Sequence, residues 1–171
     1  QALRGLAILL VVVYHAELLA SLKAGYLGVD IFFVVSGYLI TGIVTKGLQD
    51  GSFSFSGFYF RRAKRLLPAA YVTFLATTLL SIAFLTTPAL RDYLWQLVGA
   101  VTFTGNMVLW TQTGYFAPAA ELKPLLHVWS LSIEEQYYLL LPAVLVLTPR
   151  RFWTPGVWVV LLISLALCLG L

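Results

Sequence analysis

The chain has 171 residues, of which 60% are hydrophobic and 11% charged, and its mean hydropathy is +0.90. Soluble domains carry about 25% charged residues, so this composition excludes an ordinary soluble domain and predicts an integral membrane protein. The net charge of +4 does not indicate nucleic-acid binding, because the basic residues cluster where loops would face the cytoplasm. A single cysteine, Cys168, excludes an internal disulfide and a cysteine-based metal site.

Long apolar segments without an alternating pattern predict an all-α fold, a polytopic transmembrane helical bundle of about five or six membrane segments. We expect Pro68 in the first turn of the third segment, where its missing N–H is tolerated. A polar loop, 46–56, and the basic run 61–65 precede that segment. The six apolar segments cover residues 6–22, 29–45, 66–86, 93–110, 125–147 and 157–171.

Lysine and arginine placement predicts a multi-pass protein of the cell (inner) membrane. Arg4 and the run 61–65 mark the cytoplasmic side, so the loop 21–28 is expected to face outward. Strict alternation would then place Arg150 and Arg151 outside, against the rule. Either these two are an exception, or one of the fourth and fifth segments is re-entrant; the fifth, polar in its first half, is the better candidate.

Arg4 and His15 are the ionisable groups of the first apolar segment. Their spacing of eleven residues is about three helical turns, which puts both on one face and about 16 Å apart along the axis. We expect Arg4 near the membrane surface as an anion anchor. His15 is then a neutral base near mid-membrane, or a structural residue bonded to a helix carbonyl or a serine. Glu17 points away and is expected at the outer headgroups.

The basic run supplies four cations in five residues: Arg61, Arg62, Lys64 and Arg65. Such a run can act simply as a positive-inside signal with lipid headgroup contacts. Arg62 and Arg65, however, are three residues apart and share a helical face. Paired guanidinium groups grip phosphates bidentately, so a cytoplasmic polyphosphate ligand would fit.

The densest polar cluster lies in LLHVWSLSIEEQYYLLLP. On a helix, His127, Ser130, Glu134 and Tyr138 share one face, while Glu135 lies about 100° away. We therefore expect Glu134 to partner the other polar groups and Glu135 to be solvent-facing or structural. The alternative is that the whole set makes interhelical hydrogen bonds. No metal site is expected, because HExxH-type spacing is absent.

The stretch GVDIFFVVSGYLITG opens the second segment. Asp30 stands at its start, and either a functional or a structural role fits it. Ser36 and Gly37 are small residues in its middle that permit close helix packing. Ser36 is expected to be structural, since VVSG lacks the first glycine of a nucleophile elbow.

Together these stretches resemble the membrane-bound acyltransferase 3 family, from residue 2 to about residue 142. LRGLAILLVVVYHA resembles its first helix, with arginine and histidine eleven positions apart, and GVDIFFVVSGYLITG resembles its second. FYFRRAKRLLPA resembles its R-x-x-R motif, although Lys64 stands where a further arginine is common, which leaves the choice among three arginines open. LLHVWSLSIEEQYYLLLP resembles its W-S-L-x-x-E motif. The matched positions are Arg4, His15, Arg62, Arg65, Trp129, Ser130 and Glu134.

The resemblance implies O-acylation of extracytoplasmic glycans such as lipopolysaccharide or peptidoglycan. The donor substrate would be acyl-CoA, in particular acetyl-CoA, with no permanently bound cofactor. Its phosphates would bind among Arg61, Arg62 and Arg65, and its thioester would approach His15. His15 would activate a glycan hydroxyl or help to form an acyl-enzyme. Arg4 would steer the pantetheine arm or stabilise charge, and Glu134 would orient the histidine. The supporting groups would be Asp30, His127, Trp129 and Ser130.

The family domain has about twice as many helices, so residues 1–171 are expected to be the N-terminal half of one domain. A C-terminal extracytoplasmic SGNH-type domain is a further partner that the resemblance implies. A second function remains open from the residues: a proton- or anion-coupled transporter or flippase whose path is lined by Arg4, His15 and Glu134.

Overall fold

The computed structural model describes residues 2–16, 24–113 and 123–170, and every regular element in these ranges is helical. The predicted positions of Glu17 and of the loop residues 21–23 lie outside the described residues. A single 3₁₀ turn, Arg150–Phe152, leads into the last helix. The α-helices of the described ranges are α1 (Ala2–His15), α2 (Leu27–Gln49), α3 (Phe55–Phe84), α4 (Thr87–Val101), α5 (Gly105–Thr111), α6 (Val128–Leu147) and α7 (Trp153–Leu169).

Three stretches are long and apolar enough to cross a membrane: α2, α3, and the unit Arg150–Leu169 that contains α7. The protein is therefore an all-helical membrane protein, while the predicted five or six segments are not confirmed. α1 is apolar but only 14 residues long. α6 has 20 residues, and its first half contains Glu134, Glu135 and Gln136, which lower its hydropathy.

α3 begins eleven residues before the predicted start of the third segment. Ser54 caps the helix by accepting a hydrogen bond from the Gly57 N–H at 3.2 Å. Phe53 and Phe58, whose ring centroids are 5.8 Å apart, occupy the positions of a hydrophobic staple. The basic run is consequently helical. The predicted place of Pro68 in the first turn is wrong, because the earlier start puts this proline inside α3.

The predicted single segment 93–110 is wrong, because the chain reverses direction within it. α4 ends at Val101 and α5 begins at Gly105, and between them Phe103 adopts a left-handed φ of +56°. The Gln112 side chain at the end of α5 donates to the Asp92 carbonyl near the start of α4, at 2.9 Å. α4 and α5 thus form a hairpin with both ends on one side, so the fourth segment is the irregular one.

The helix directions define two ends of the bundle. α2 and α6 run parallel, as the Phe33–Trp129 ring contact and the bond between the Thr41 and Tyr137 hydroxyls show. The Arg150 guanidinium donates to the Leu48 carbonyl at the end of α2. We call this end, which also holds the start of α3, the basic end. The other, here the far end, holds the starts of α2 and α6 and the α3–α4 junction.

Glycines set the closest helix contacts. A Cβ atom on Gly28 would lie 2.4 Å from the Ala7 carbonyl oxygen, so α1 can approach α2 only where residue 28 has no side chain. Gly99 and Gly105 allow α4 and α5 to pack closely in their hairpin, since a Cβ on Gly99 would lie 3.0 Å from the Gly105 Cα. The buried apolar cluster lies beside this hairpin and consists of Phe74, Tyr93, Ala100, Leu125 and Val128.

We predict that Gly28→Ala destabilises the bundle, because the added methyl group overlaps backbone that cannot rotate away. The expected loss is about 1–3 kcal/mol, measured by thermal unfolding of the detergent-purified protein. Gly42→Ala is the matched control, since residue 42 lies in the same helix and an added Cβ there would meet nothing within 4 Å. Equal melting temperatures for the two variants would contradict this packing.

Candidate functional site

Arg4 and Glu134 form the first of two ion pairs inside the bundle. Arg4 Nη2 lies 3.2 Å from Glu134 Oε1 and donates to Ser36 Oγ at 2.6 Å. The Tyr138 hydroxyl donates to the same carboxylate oxygen. The Arg4 guanidinium also stacks over Phe32, with Cζ 4.9 Å from the ring centroid. This pair joins α1, α2 and α6.

Arg62 and Glu135 form the second pair, with two parallel hydrogen bonds. Arg62 Nη2 lies 2.5 Å from Glu135 Oε1, and Arg62 Nε lies 2.9 Å from Oε2. The guanidinium covers the face of Tyr138, with Cζ 3.4 Å from the ring centroid. A bidentate pair with a cation–π contact holds the arginine firmly. This pair joins α3 to α6.

Of the two roles expected for Glu135, the solvent-facing one is wrong and the structural one agrees with its ion pair to Arg62. Glu134 is 8% exposed and Glu135 is 9% exposed. Adjacent residues on a helix point about 100° apart, so each carboxylate reaches a different neighbouring helix. We call these two contacts the twin ion pairs. Since burying unpaired charge is costly, each arginine offsets the cost of placing a glutamate at a nearly buried position.

A cleft of about 490 Å³, here the central cleft, lies between the twin ion pairs. Both pairs line it, together with Arg65. A smaller apolar cleft of about 270 Å³ shares Glu134 and Phe32 with the central cleft and follows α1 as far as Val11 and Val12. The two clefts together form a polar-to-apolar groove along α1.

The three candidate phosphate ligands have different surroundings. Arg62 is engaged by Glu135, as described above. Arg65 lines the central cleft and is exposed, and it forms no ion pair within the described ranges. Arg61 is exposed and does not line the cleft. Of the three side chains, Arg65 is the one positioned to receive an anion in the cleft.

Arg4 and His15 lie at different depths from those predicted. Arg4 contacts Ser36, the tenth of the 23 residues of α2, so its guanidinium is near the middle of that helix. His15 is the last residue of α1, and its neighbour Tyr14 contacts Tyr26, which precedes α2. The arginine is therefore central and the histidine lies at the far end, because α1 and α2 run antiparallel.

His15 is exposed, and its Nδ1 lies 2.9 Å from the Val11 carbonyl oxygen. A carbonyl oxygen only accepts, so in the neutral ring Nδ1 carries the proton and Nε2 has a free lone pair. The expected burial is not found, but the bond to a helix carbonyl is. The structure does not bring Glu134 to His15; among the described residues its carboxylate binds Arg4 and Tyr138.

The remaining sequence candidates lie outside the twin ion pairs. Asp30 is exposed in the first turn of α2. His127 precedes α6, is exposed, and accepts through its carbonyl a hydrogen bond from the Ser130 hydroxyl at 3.2 Å. Trp129 packs edge-on against Phe33, with centroids 6.2 Å apart. Within the described ranges, no group of three potential ligands could hold a metal ion.

Sequence reasoning missed Glu135 as the partner of Arg62 and Ser36 as a partner of Arg4. A charge-pairing argument would have found the first, because an acid and a base within apolar helices must meet to be tolerated. No local signal identified the second, since the contact depends on how α1 lies against α2. Gln136 was also missed: its amide donates to the Phe103 carbonyl at 2.7 Å and so supports the hairpin turn.

A helical membrane bundle with paired charges around an internal cleft is the class that these observations define. The family model described as "Acyltransferase domain" matches residues 1–171. The chain belongs to this family, acyltransferase 3, which confirms the resemblance read from its motifs.

Curated relatives agree with the family match. The peptidoglycan O-acetyltransferase OatA of Listeria monocytogenes is 35% identical over 169 residues, which is 98% of this chain and 27% of OatA. A Staphylococcus aureus protein named as an O-acetyltransferase is 35% identical over 98% of the chain and 28% of its own length. An uncharacterized Haemophilus influenzae protein is 39% identical over 72% of the chain and 50% of its length. The chain thus spans half or less of these relatives. No solved structure matches.

We predict that Arg62→Ala is strongly destabilising, because it leaves the Glu135 carboxylate buried without a partner. The expected loss is about 3–5 kcal/mol in detergent-purified protein. Replacing both partners, as Arg62→Met with Glu135→Leu, removes the unpaired charge and should recover a large part of the loss. Arg61→Ala, one residue away and exposed, should melt like the wild type. A double variant as unstable as the sum of its two single variants would contradict a direct pairing.

Proposed function

We propose that the protein containing this chain transfers an acyl group, in the first instance acetyl, from acyl-CoA to a hydroxyl of a cell-envelope glycan. The observation that carries this proposal is the central cleft, where an exposed Arg65 stands beside two buried ion pairs in a chain of the acyltransferase family. The name of the Listeria relative supports an acetyl donor and a peptidoglycan acceptor.

The basic end is the cytoplasmic end in this proposal. Lys46 lies in the last turn of α2, Arg61 and Arg65 lie near the start of α3, and Arg150 contacts the end of α2. Cytoplasmic enrichment of lysine and arginine is the general rule for membrane proteins, and it supports this orientation. The hairpin of α4 and α5 removes the conflict over the side on which Arg150 lies, because it returns α6 to the basic end before that residue.

The donor would bind with its phosphates at Arg65. A guanidinium group offers a planar pair of donors to a phosphate, whereas Arg62 already directs its Nε/Nη2 edge at Glu135. The pantetheine arm and acyl group would follow the central cleft into the apolar cleft beside α1. Arg4, which lines the central cleft about three helical turns from His15, would steer the polar pantetheine arm on its way into the apolar cleft.

His15 would act as the base at the far end. Its free Nε2 would take the proton of a glycan hydroxyl while the oxygen attacks the thioester carbonyl, and the thiolate of coenzyme A would leave and receive that proton. A two-step route, in which an acyl-enzyme forms first, uses the same groups. A C-terminal extracytoplasmic domain, which the greater length of the relatives allows, would receive or present the glycan.

We predict that Arg65→Gln weakens acyl-CoA binding about tenfold, because the charged phosphate contact is lost while Arg62 stays paired. Isothermal titration of acetyl-CoA into the detergent-purified full-length protein measures this. Arg61→Gln is the matched control and should bind like the wild type, since Arg61 does not line the cleft. A wild-type protein that binds no acyl-CoA would refute acyl-CoA as the donor and favour the alternative, a transporter in which the same buried charges line a path.

We predict that His15→Gln abolishes glycan O-acylation but leaves acyl-CoA binding unchanged, because the base is lost far from the phosphate site. Mass spectrometry of envelope glycans from a complemented deletion strain measures the transfer. Tyr14→Phe, on the neighbouring exposed residue, controls for damage to the end of α1. Full acylation by the His15 variant would remove this residue from the mechanism.

A further inference from the structure

A separate cleft of about 390 Å³ lies at the far end of the bundle. It is bounded by the end of α3, the first half of α4 and the residues leading into α6. None of the twin ion pairs lines it. Its polar lining comes from Thr86, Asp92, Gln96, Gln112 and Lys123, and its apolar lining includes Phe84 and Pro88.

A hydrogen-bond network fixes the walls of this cleft. The Gln96 amide, 3% exposed, donates to Gln112 Oε1 at 2.9 Å and accepts from the Leu125 N–H at 3.3 Å. Gln112 in turn donates to the Asp92 carbonyl, and Lys123 Nζ donates to the Gln112 carbonyl at 2.7 Å. Three chain segments are therefore held together, which makes the cleft largely preformed.

The two charged side chains of this cleft, Asp92 and Lys123, can still form hydrogen bonds with a ligand. The Asp92 carboxylate makes no hydrogen bond or ion pair within the parts of the chain that the structure describes, although Lys123 lines the same cleft. The Lys123 ammonium has three donors and uses one on Gln112. A carboxylate can accept from two neighbouring hydroxyl groups, and the apolar surface of Phe84 and Pro88 suits the C–H face of a pyranose ring.

We infer that this cleft, termed the acceptor cleft, binds a sugar unit of the glycan that receives the acyl group. This inference rests on the proposed function for its substrate class and deepens it by giving the acceptor a site. Position agrees with chemistry, because Lys123 and Leu125 precede α6 at the same end where His15 ends α1. A polyhydroxylated ligand held there would lie at the same end of the bundle as the base.

The test is direct binding of the disaccharide N-acetylglucosaminyl-N-acetylmuramic acid to the detergent-purified full-length protein, by isothermal titration. Asp92→Asn and Phe84→Ala should each weaken binding at least tenfold and raise the acceptor KM of transfer similarly, with kcat unchanged. Arg91→Gln, an exposed neighbour outside the cleft lining, should bind like the wild type. Acetyl-CoA affinity, expected to be unchanged in all three variants, reports that they are folded.

The outcomes separate this inference from the proposed function. If both cleft variants keep the disaccharide affinity and the acceptor KM of the wild type, the inferred acceptor site is overturned while the proposed acyl transfer stands. Failure of the wild type to bind the disaccharide would also overturn it. If the protein binds the disaccharide through Asp92 but binds no acyl-CoA, the acceptor site is supported and acyl-CoA is refuted as the donor.

Discussion

Two adjacent carboxylates on one helix organise this bundle. Glu134 and Glu135 point about 100° apart, and each is nearly buried. A nearly buried carboxylate without a partner is costly, and here α1 brings Arg4 to one and α3 brings Arg62 to the other. The positions of two helices around α6 are thereby fixed by electrostatics, and the central cleft is the space that remains between them.

Tyr138 couples the two halves of this arrangement. Its hydroxyl donates to Glu134, while its ring face lies beneath the Arg62 guanidinium. One side chain therefore contacts an anion of the first pair and the cation of the second. A displacement of α3 that tilts this ring would also alter the donor to Glu134. The two ion pairs are therefore linked through one side chain rather than being independent.

The hairpin of α4 and α5 shows how an interrupted helix is tolerated in such a protein. Backbone groups freed at a break must find partners where water is scarce. The Phe103 carbonyl accepts from Gln136, and the Gly105 N–H donates to the Ser132 hydroxyl at 3.1 Å. Both partners come from α6, so the same helix that carries the twin ion pairs also supports the turn.

The sequence predicts the membrane class, the helical content and the family, because these depend on composition and on motifs within single segments. It also selects Arg4 and Glu134 as site residues, and the structure brings these two together. It allows either the fourth or the fifth segment to be irregular but favours the fifth, since the fourth is mostly apolar and its reversal depends on Gly99, Gly105 and the amide of Gln136. It places Pro68 wrongly, because the N-cap at Ser54 starts α3 well before the apolar residues begin. It leaves Glu135 open between solvent and structure, because its partner Arg62 lies on another helix.

The two arginines of the R-x-x-R motif look equivalent in the sequence but have different surroundings in the structure. Arg62 and Arg65 share a helical face and were expected to grip phosphate together. Arg62 directs Nε and Nη2 to Glu135 and stacks on an aromatic ring, so its remaining donors are the second N–H of Nη2 and the two of Nη1. No ion pair within the described ranges engages the fork of Arg65. A phosphate in the central cleft would thus be bound by one exposed guanidinium and oriented by the open edge of a fixed one, and the fixed arginine would be required for folding before it is required for binding.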